Sequence, residues 1–83
     1  MPNVTLYSKP DCPLCDEARE ALARVHARVR FRLEEIDITT DRMLEERYGE
    51  RIPVVALDRE ELFDLHVDEP ELERRLGQEV AAR

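Results

Sequence analysis

The chain has 83 residues, which leaves room for one compact domain, and we expect residues 1–83 to form it. Charged residues make up 40% and apolar residues 42% of the sequence, a balance typical of a globular domain. The formal net charge of −7 leaves no basic stripe to neutralise phosphates, so neither nucleic acid nor an anionic membrane is an expected partner. Because the sequence shows no secretory signal and no membrane-length apolar run, we expect a cytoplasmic protein.

The first elements are a strand and a long helix. Residues from Asn3 to Tyr7 alternate and contain β-branched and aromatic side chains, which predicts a strand that ends at the polar segment 8–11. Pro13 suits the first position of a helix, so Cys12 is predicted to be its N-cap. The helix is indicated by apolar residues at helical spacing: Leu14, Ala18, Ala21, Leu22, Val25 and Val29.

A second strand and a short helix follow. The segment from Val29 to Ile38 has strand-like alternation whose phase changes, which predicts a bulge or a strand end near Glu34. Residues 39–41 are typical of a helix cap, and apolar residues from Met43 to Tyr48 predict about two helical turns. Gly49 is predicted to close this helix at the C′ position.

The last third of the chain contains two strands and a helix. The unbroken apolar run 53–57 predicts a strand covered on both faces, and residues 58–60 are predicted to reverse the chain into a peripheral strand over 61–67. Asp68 and Glu71 have the spacing of a capping box at the start of a final helix, which Gly77 is expected to end early. Its inward stripe is predicted to be Leu72, Leu76 and Val80.

The predicted element order is therefore βαβαββα, an α/β fold. A strand, helix and strand at the start favour a parallel crossover, whereas the closely spaced last two strands favour a hairpin. The simplest closure is a mixed four-stranded sheet flanked by helices.

The most informative feature is the pair Cys12 and Cys15, spaced Cys-Pro-Leu-Cys at a strand-to-helix junction. The N-terminus of a helix favours negative charge, so we expect Cys12 to provide a nucleophilic thiolate. Cys15 lies one turn later on the same face and is expected to resolve the mixed disulfide that Cys12 forms with a substrate. Lys9, the sole lysine, is a candidate to supply positive charge to this thiolate or to an anionic thiol substrate.

Residues 7–15, Tyr-Ser-Lys-Pro-Asp-Cys-Pro-Leu-Cys, resemble the active-site segment of glutaredoxins, and the element order is similar to that of the thioredoxin fold. The resemblance covers essentially the whole chain and is greatest to compact bacterial glutaredoxin-like proteins. It implies a disulfide oxidoreductase in which Pro53 is a cis proline facing the dithiol and the backbone of Ile52 pairs with an extended substrate. Leu14 replaces the usual tyrosine between the cysteines. The candidate substrate-binding residues are thus Lys9, Leu14, Ile52 and Pro53.

One departure from the glutaredoxin pattern concerns the reductant. Glutaredoxins carry a Gly-Gly pair that helps the backbone approach glutathione, whereas this chain has His66 and Val67 or their neighbours in that place. The sequence therefore leaves open whether glutathione or another low-molecular-weight thiol recycles the protein, and no tightly bound cofactor is expected. The expected partners are disulfide-containing proteins or small thiol substrates, with the domain acting as a monomer.

Three alternatives remain open at this point. A Cys-x-x-Cys pair also occurs in zinc knuckles, although structural zinc needs four ligands and only distant histidines are left to complete the set. Some relatives bridge an iron–sulfur cluster between two subunits, with one cysteine from each. A non-catalytic module that binds a protein partner through the proline-flanked groove is the third alternative.

Overall fold

The computed structural model describes residues 1–81, with side chains described through residue 78. The predicted order βαβαββα is confirmed, with one additional 3₁₀ turn before the second helix. In chain order the elements are β1 (Asn3–Ser8), α1 (Pro13–His26), β2 (Arg32–Asp37), the 3₁₀ turn (Ile38–Thr40), α2 (Arg42–Tyr48), β3 (Val54–Leu57), β4 (Glu60–Asp64) and α3 (Glu69–Ala81). Among residues 1–81, no helix has the length and apolar character needed to span a bilayer.

The four strands form one mixed sheet, as predicted, and their order in it is β2-β1-β3-β4. β1 pairs in parallel with β2, whereas β1 with β3 and β3 with β4 are antiparallel. In this register Tyr7, near the end of β1, lies beside Val54 at the start of β3. The loop that follows β1 and the segment that precedes β3 therefore meet at the same end of the sheet.

One face of the sheet carries the larger hydrophobic core. Successive residues of a strand point to opposite faces, so alternate residues of β1 and β3 contribute to this core. Helices α1 and α3 cover it, since their apolar stripes face the same side. The buried members are Val4, Leu6, Ala18, Leu22, Val25, Phe31, Val55, Leu57, Leu72 and Leu76.

A second, smaller core lies where the 3₁₀ turn and α2 meet the sheet. It contains buried residues from five different parts of the chain: Cys12, Cys15, Ile38, Tyr48, Ile52 and Val54. Tyr7, Leu14 and Leu44 pack against it and are only partly buried. Both cysteines are therefore part of a packed core.

The predicted irregularity near Glu34 is wrong. β2 pairs residue by residue with β1 from Arg32 to Asp37 without interruption. β2 is an edge strand, so its residues need not alternate between a core and solvent, and Leu33 is 41% exposed. The register shift of this sheet lies instead between Val55 and Ala56, where β3 pairs with β4.

Two predicted element ends also differ from the structure. Gly49 is the C-cap residue of α2 with a right-handed φ of −49°, one position earlier than the predicted C′ site. β4 ends at Asp64, before the predicted limit, because Leu65 adopts a left-handed φ of 68°. The amide of Leu65 turns away from the strand and donates to the carbonyls of Arg51 and Pro53.

The start of α3 agrees with the sequence, but its end does not. The Asp68 carboxylate accepts a hydrogen bond from the Glu71 amide at 3.1 Å, which confirms Asp68 as the cap. α3 continues past Gly77 to Ala81, so the predicted early end is wrong. Leu72 and Leu76 are fully buried as predicted, whereas the side chain of Val80 lies outside the described residues.

The position of Gly77 generates a stability prediction. A Cβ atom added there would have no atom within 4 Å, and the residue lies inside a helix. Gly77→Ala is expected to raise the free energy of unfolding by about 0.5–1 kcal/mol, because alanine loses less backbone entropy in a helix. The control variant Ala23→Gly makes the opposite change at an exposed position of α1 and should lower the free energy of unfolding by a similar amount. Urea unfolding measures both, and a destabilised Gly77→Ala variant would contradict the packing described for α3.

Candidate active site

Cys12 lies at the N-terminus of α1, as the sequence predicted. The chain turns after β1 through Asp11, whose left-handed φ of 57° is tolerated by aspartate. Cys12 is the N-cap with extended φ and ψ of −119° and 105°, and Pro13 occupies the first turn. The amide of Cys15 donates a hydrogen bond of 3.3 Å to Cys12 Sγ. A backbone donor at the positive end of a helix stabilises negative charge on that sulfur.

The two thiols differ in exposure, and burial changes the pKa of Cys15. The exposed fraction is 9% for Cys12 and 0% for Cys15. Burial, together with the side-chain hydrogen bond to Cys12, raises the pKa of the Cys15 thiol to about 11. The backbone of Lys9 and the charge of Arg19 act in the opposite direction and lower the pKa of Cys15. Near neutral pH, Cys15 therefore remains a thiol beside the more accessible Cys12 sulfur.

The segment before β3 forms the second wall of the site. The Ile52–Pro53 peptide bond is cis, as the resemblance implied, and Pro53 is fully buried. Ile52 and Val54, on either side of it, pack in the same core as both cysteines. Within residues 1–81 no hydrogen bond uses the amide or carbonyl of Ile52. These backbone groups are available to an extended peptide, as expected for pairing with a substrate strand.

The other two candidate residues lie at the rim of the site. Leu14 is half-buried and packs against the cysteine-containing core. The side chain of Lys9 is exposed and forms no ion pair with the described part of the chain. The structure thus brings together Cys12, Cys15, Leu14 and Ile52, with Pro53 next to Ile52 in the chain. Lys9 approaches Cys15 through its backbone.

An aromatic pair beside the cysteines was not singled out from the sequence. The rings of Tyr7 and Tyr48 stack with their centroids 4.3 Å apart. The guanidinium groups of Arg47 and Arg51 lie 5.4 and 5.5 Å from the Tyr48 ring centroid, within cation–π range. Burial raises the pKa of Tyr7, so its hydroxyl stays protonated at neutral pH. From the sequence, Tyr48 is interpreted only as a core or boundary residue. The stacking of Tyr7 on Tyr48 joins β1 to α2, and no local sequence pattern indicates it.

A polar network that acts on Cys15 through Arg19 was also missed. Ser8, only 2% exposed, donates a hydrogen bond of 2.7 Å to the Glu35 carboxylate. Arg19 contacts the same carboxylate through two nitrogens at 2.9 and 2.6 Å, and it also pairs with Asp16. Pairing with Arg19 lowers the pKa of Glu35, which therefore stays ionised. The network fixes Arg19 one turn after Cys15 on α1, where its positive charge favours a Cys15 thiolate.

Other surface features do not compete with the dithiol. A depression of about 510 Å³ lies at the other end of β1 between residues such as Asn3, Arg32 and Arg59. A groove of about 320 Å³ borders Leu14 beside the cysteines. Within residues 1–81, no three His, Cys, Asp or Glu side chains converge as a metal site would require.

The sequence and this arrangement match a known family. The family described as Glutaredoxin-like domain (DUF836) matches residues 3–77, which is most of the chain. The chain belongs to the glutaredoxin-like domain family. A curated relative, the glutaredoxin-like protein YDR286C homolog of Dictyostelium discoideum, is 29% identical over 76 residues, covering 84% of this chain and 70% of the relative.

Solved structures place the glutaredoxin-like domain in the thioredoxin fold. Protein XcR50 from X. campestris is 38% identical, with a TM-score of 0.74 over 90% of this chain and 96% of that one. Protein Ne2328 from Nitrosomonas europaea is 25% identical, with a TM-score of 0.78 over 89% of each chain. A mutant thioredoxin from Halobacterium salinarum is similar in fold alone, at 18% identity and a TM-score of 0.68, covering 93% of this chain and 73% of the thioredoxin.

The raised pKa of Cys15 generates a prediction about stability and pH. The unfolded chain releases the Cys15 proton near pH 9, whereas the folded chain holds it to about pH 11. The free energy of unfolding of the reduced protein should therefore fall by on the order of 3 kcal/mol as pH rises through that range.

Urea unfolding between pH 8 and about pH 11 under reducing conditions measures this dependence. Cys15→Ala is the control variant, because it keeps the tyrosine and lysine titrations and loses only the thiol. Its stability should depend less steeply on pH than that of the unsubstituted protein. Parallel profiles for the two proteins would show that the fold does not hold the Cys15 proton.

Proposed function

We propose that this glutaredoxin-like protein is a thiol–disulfide oxidoreductase in which Cys12 is the nucleophile and Cys15 the resolving thiol. The observation that carries the proposal is the asymmetry of the pair at one helix terminus. The sulfur of Cys12 accepts a hydrogen bond of 3.3 Å from the Cys15 amide and is the more accessible of the two. Cys15 is fully buried, and the pKa of its thiol is raised.

In the first step the Cys12 thiolate attacks one sulfur of a substrate disulfide. A bond forms between Cys12 Sγ and that sulfur, the substrate S–S bond breaks, and the released thiolate takes up a proton. The helix N-terminus and the Cys15 amide stabilise the attacking thiolate. The product is a mixed disulfide between Cys12 and the substrate.

In the second step Cys15 loses its proton and its sulfur attacks Cys12 Sγ. The bond between Cys12 and the substrate breaks, the second substrate thiolate leaves and is protonated, and a Cys12–Cys15 disulfide forms. The substrate has then gained two electrons and two protons from the dithiol. The positive charge of Arg19 lowers the pKa of Cys15 and so favours this deprotonation.

The remaining candidate residues would bind the substrate. The free amide and carbonyl of Ile52 are suited to pair with an extended segment of the substrate, while Pro53 and Leu14 form the apolar surroundings of the reacting sulfurs. The exposed ammonium of Lys9 is suited to attract an anionic thiol.

The proposed cycle closes with a low-molecular-weight thiol. Two molecules of glutathione, or of a similar small thiol, reduce the Cys12–Cys15 disulfide and leave as their own disulfide. The proposed substrates are disulfides of proteins or of small thiols. The protein acts as a monomer without a tightly bound cofactor. Its proposed location is the cytoplasm, which is reducing.

Two cysteine variants test the assignment of roles. Cys12→Ser is expected to lower the reduction of a small disulfide such as hydroxyethyl disulfide to the rate without protein, because no nucleophile remains. Cys15→Ser should still attack once and accumulate a mixed disulfide, visible by mass spectrometry as the mass of one substrate half. Met43→Ser, at a 76% exposed position outside the site, is the control and should retain full turnover.

Turnover by Cys12→Ser would refute the nucleophile, and a mixed disulfide on Cys15 in that variant would reverse the roles. The same purified protein should contain no stoichiometric zinc and no visible absorbance from an iron–sulfur cluster. If the unsubstituted protein reduced no disulfide and contained either zinc or an iron–sulfur cluster, the corresponding metal-binding alternative would be favoured.

A further inference from the structure

A groove begins at Leu14, next to the dithiol, and follows α1. It runs between this helix and residues 65–67, which join β4 to α3, and its volume is about 320 Å³. Leu14, which packs against the core that contains both cysteines, lines the end next to the site. Arg24 and Glu69, joined by an ion pair of 2.8 Å, line the end farther along the helix. A chain segment bound in the groove would therefore begin at Leu14, beside the core that contains Cys12.

One wall of the groove is apolar and exposed. Leu65 is 42% exposed, although large apolar side chains in this fold are mostly buried. Its amide donates to the carbonyls of Arg51 and Pro53, which anchors it beside the cis-proline segment. Val67 next to it is half-buried. An apolar side chain placed here would remove the exposed surface of Leu65 from water.

The other wall carries net negative charge, because Glu17 and Glu20 line it with Arg24, on which the charge of Glu20 acts. Glu17 and Glu20 lie on α1 one turn apart, and both are exposed. Neither forms an ion pair with the described residues, whereas Asp16 and Glu69 on the same side of the molecule are each paired with an arginine. The potential along this wall therefore favours a cationic group.

We propose that the groove binds an extended segment of a substrate protein, in which an apolar residue and a lysine or arginine follow one another close to the reactive cysteine. The apolar residue covers Leu65 and Val67, and the cation lies opposite Glu17 and Glu20. This inference rests on the proposed function, because it names the substrate class of the same dithiol.

The helix fixes the spacing that such a substrate needs. Cys12 and Glu20 are about 12 Å apart along the axis of α1, at roughly 1.5 Å per residue. An extended peptide covers this distance in about three to four residues. The cation should therefore stand about three residues from the substrate cysteine, with the apolar residue between them.

Mixed disulfides of symmetric peptides with mercaptoethanol test the proposal without assuming a chain direction. The matched peptide is Lys-Leu-Gly-Cys-Gly-Leu-Lys. In the two comparison peptides Ser replaces Leu or Glu replaces Lys, and hydroxyethyl disulfide serves as the featureless substrate. The expected kcat/KM for the matched peptide exceeds that of each comparison peptide by about tenfold, equivalent to about 1.4 kcal/mol.

Variants of the groove should change these ratios and leave reduction of hydroxyethyl disulfide within about twofold, because the cysteines are untouched. Leu65→Ser should reduce the preference for Leu over Ser at least about threefold, and the control Met43→Ser should not. The double variant Glu17→Gln/Glu20→Gln should reduce the preference for Lys over Glu by a similar factor. Its control, Glu34→Gln/Glu50→Gln, removes the same charge from exposed positions outside the groove.

A redox-independent measurement separates this proposal from the proposed function. The matched peptide with Ser in place of Cys, titrated into isotope-labelled protein, should shift the amide resonances of residues 65–67. Such binding by a protein that reduces no disulfide would refute the proposed function and retain the groove. Equal kcat/KM for all peptides, or preferences that persist in both groove variants, would overturn the groove while retaining the oxidoreductase.

Discussion

The structure depends on one constraint, which is that a helix begins where the central strand ends. The loop after β1 places Cys12 at the N-cap of α1, and the amide of Cys15 in the first turn donates to its sulfur. A three-residue spacing puts Cys15 one turn farther in, where the same helix buries it. Substitution of Cys12 would therefore change both the N-cap of α1 and the sulfur that the first turn of the helix faces.

The sheet topology supplies the second wall of the site. β1 and β3 are antiparallel neighbours, so the end of one and the start of the other share an edge of the sheet. The cis Ile52–Pro53 bond lies in the segment entering β3, and residues on both sides of it pack in the same core as the cysteines. In the proposed function, a disulfide that reaches Cys12 would meet the backbone of Ile52 on one side and Leu14, at the end of the groove, on the other.

Charge is distributed unevenly around the dithiol despite the net charge of −7. Arg47 and Arg51 stack on Tyr48 on the side of α2, and Arg19 is held by Glu35 and Asp16 behind Cys15. Glu17 and Glu20, which form no ion pair with residues 1–78, line the groove. The surroundings of the dithiol are therefore cationic on the side of α2 and acidic along the groove beside α1.

The sequence predicted the elements, their order, the cap at Cys12 and the buried strand β3, because each has a local signature in spacing, capping or composition. It did not predict the regular pairing of β2. The side chains of this edge strand are mostly exposed on both faces, so its apolar residues do not mark one buried face. Nor did the sequence reveal the end of β4, which depends on bonds from Leu65 to the cis-proline segment. Of the site, the cysteines and Pro53 were evident, whereas the Tyr7–Tyr48 stack and the link from Ser8 to Arg19 join distant segments and required the register.

The most direct test of the account is the equilibrium between its two cysteines. The reduced protein is incubated in buffers of stepwise thiol-to-disulfide ratio, free thiols are trapped by alkylation, and the products are resolved by mass spectrometry. The account predicts one reversible two-electron transition in which Cys12 and Cys15 lose alkylation together, and no such transition in Cys15→Ser. If both cysteines were alkylated at every thiol-to-disulfide ratio, no disulfide would form between them, and this result would contradict the account.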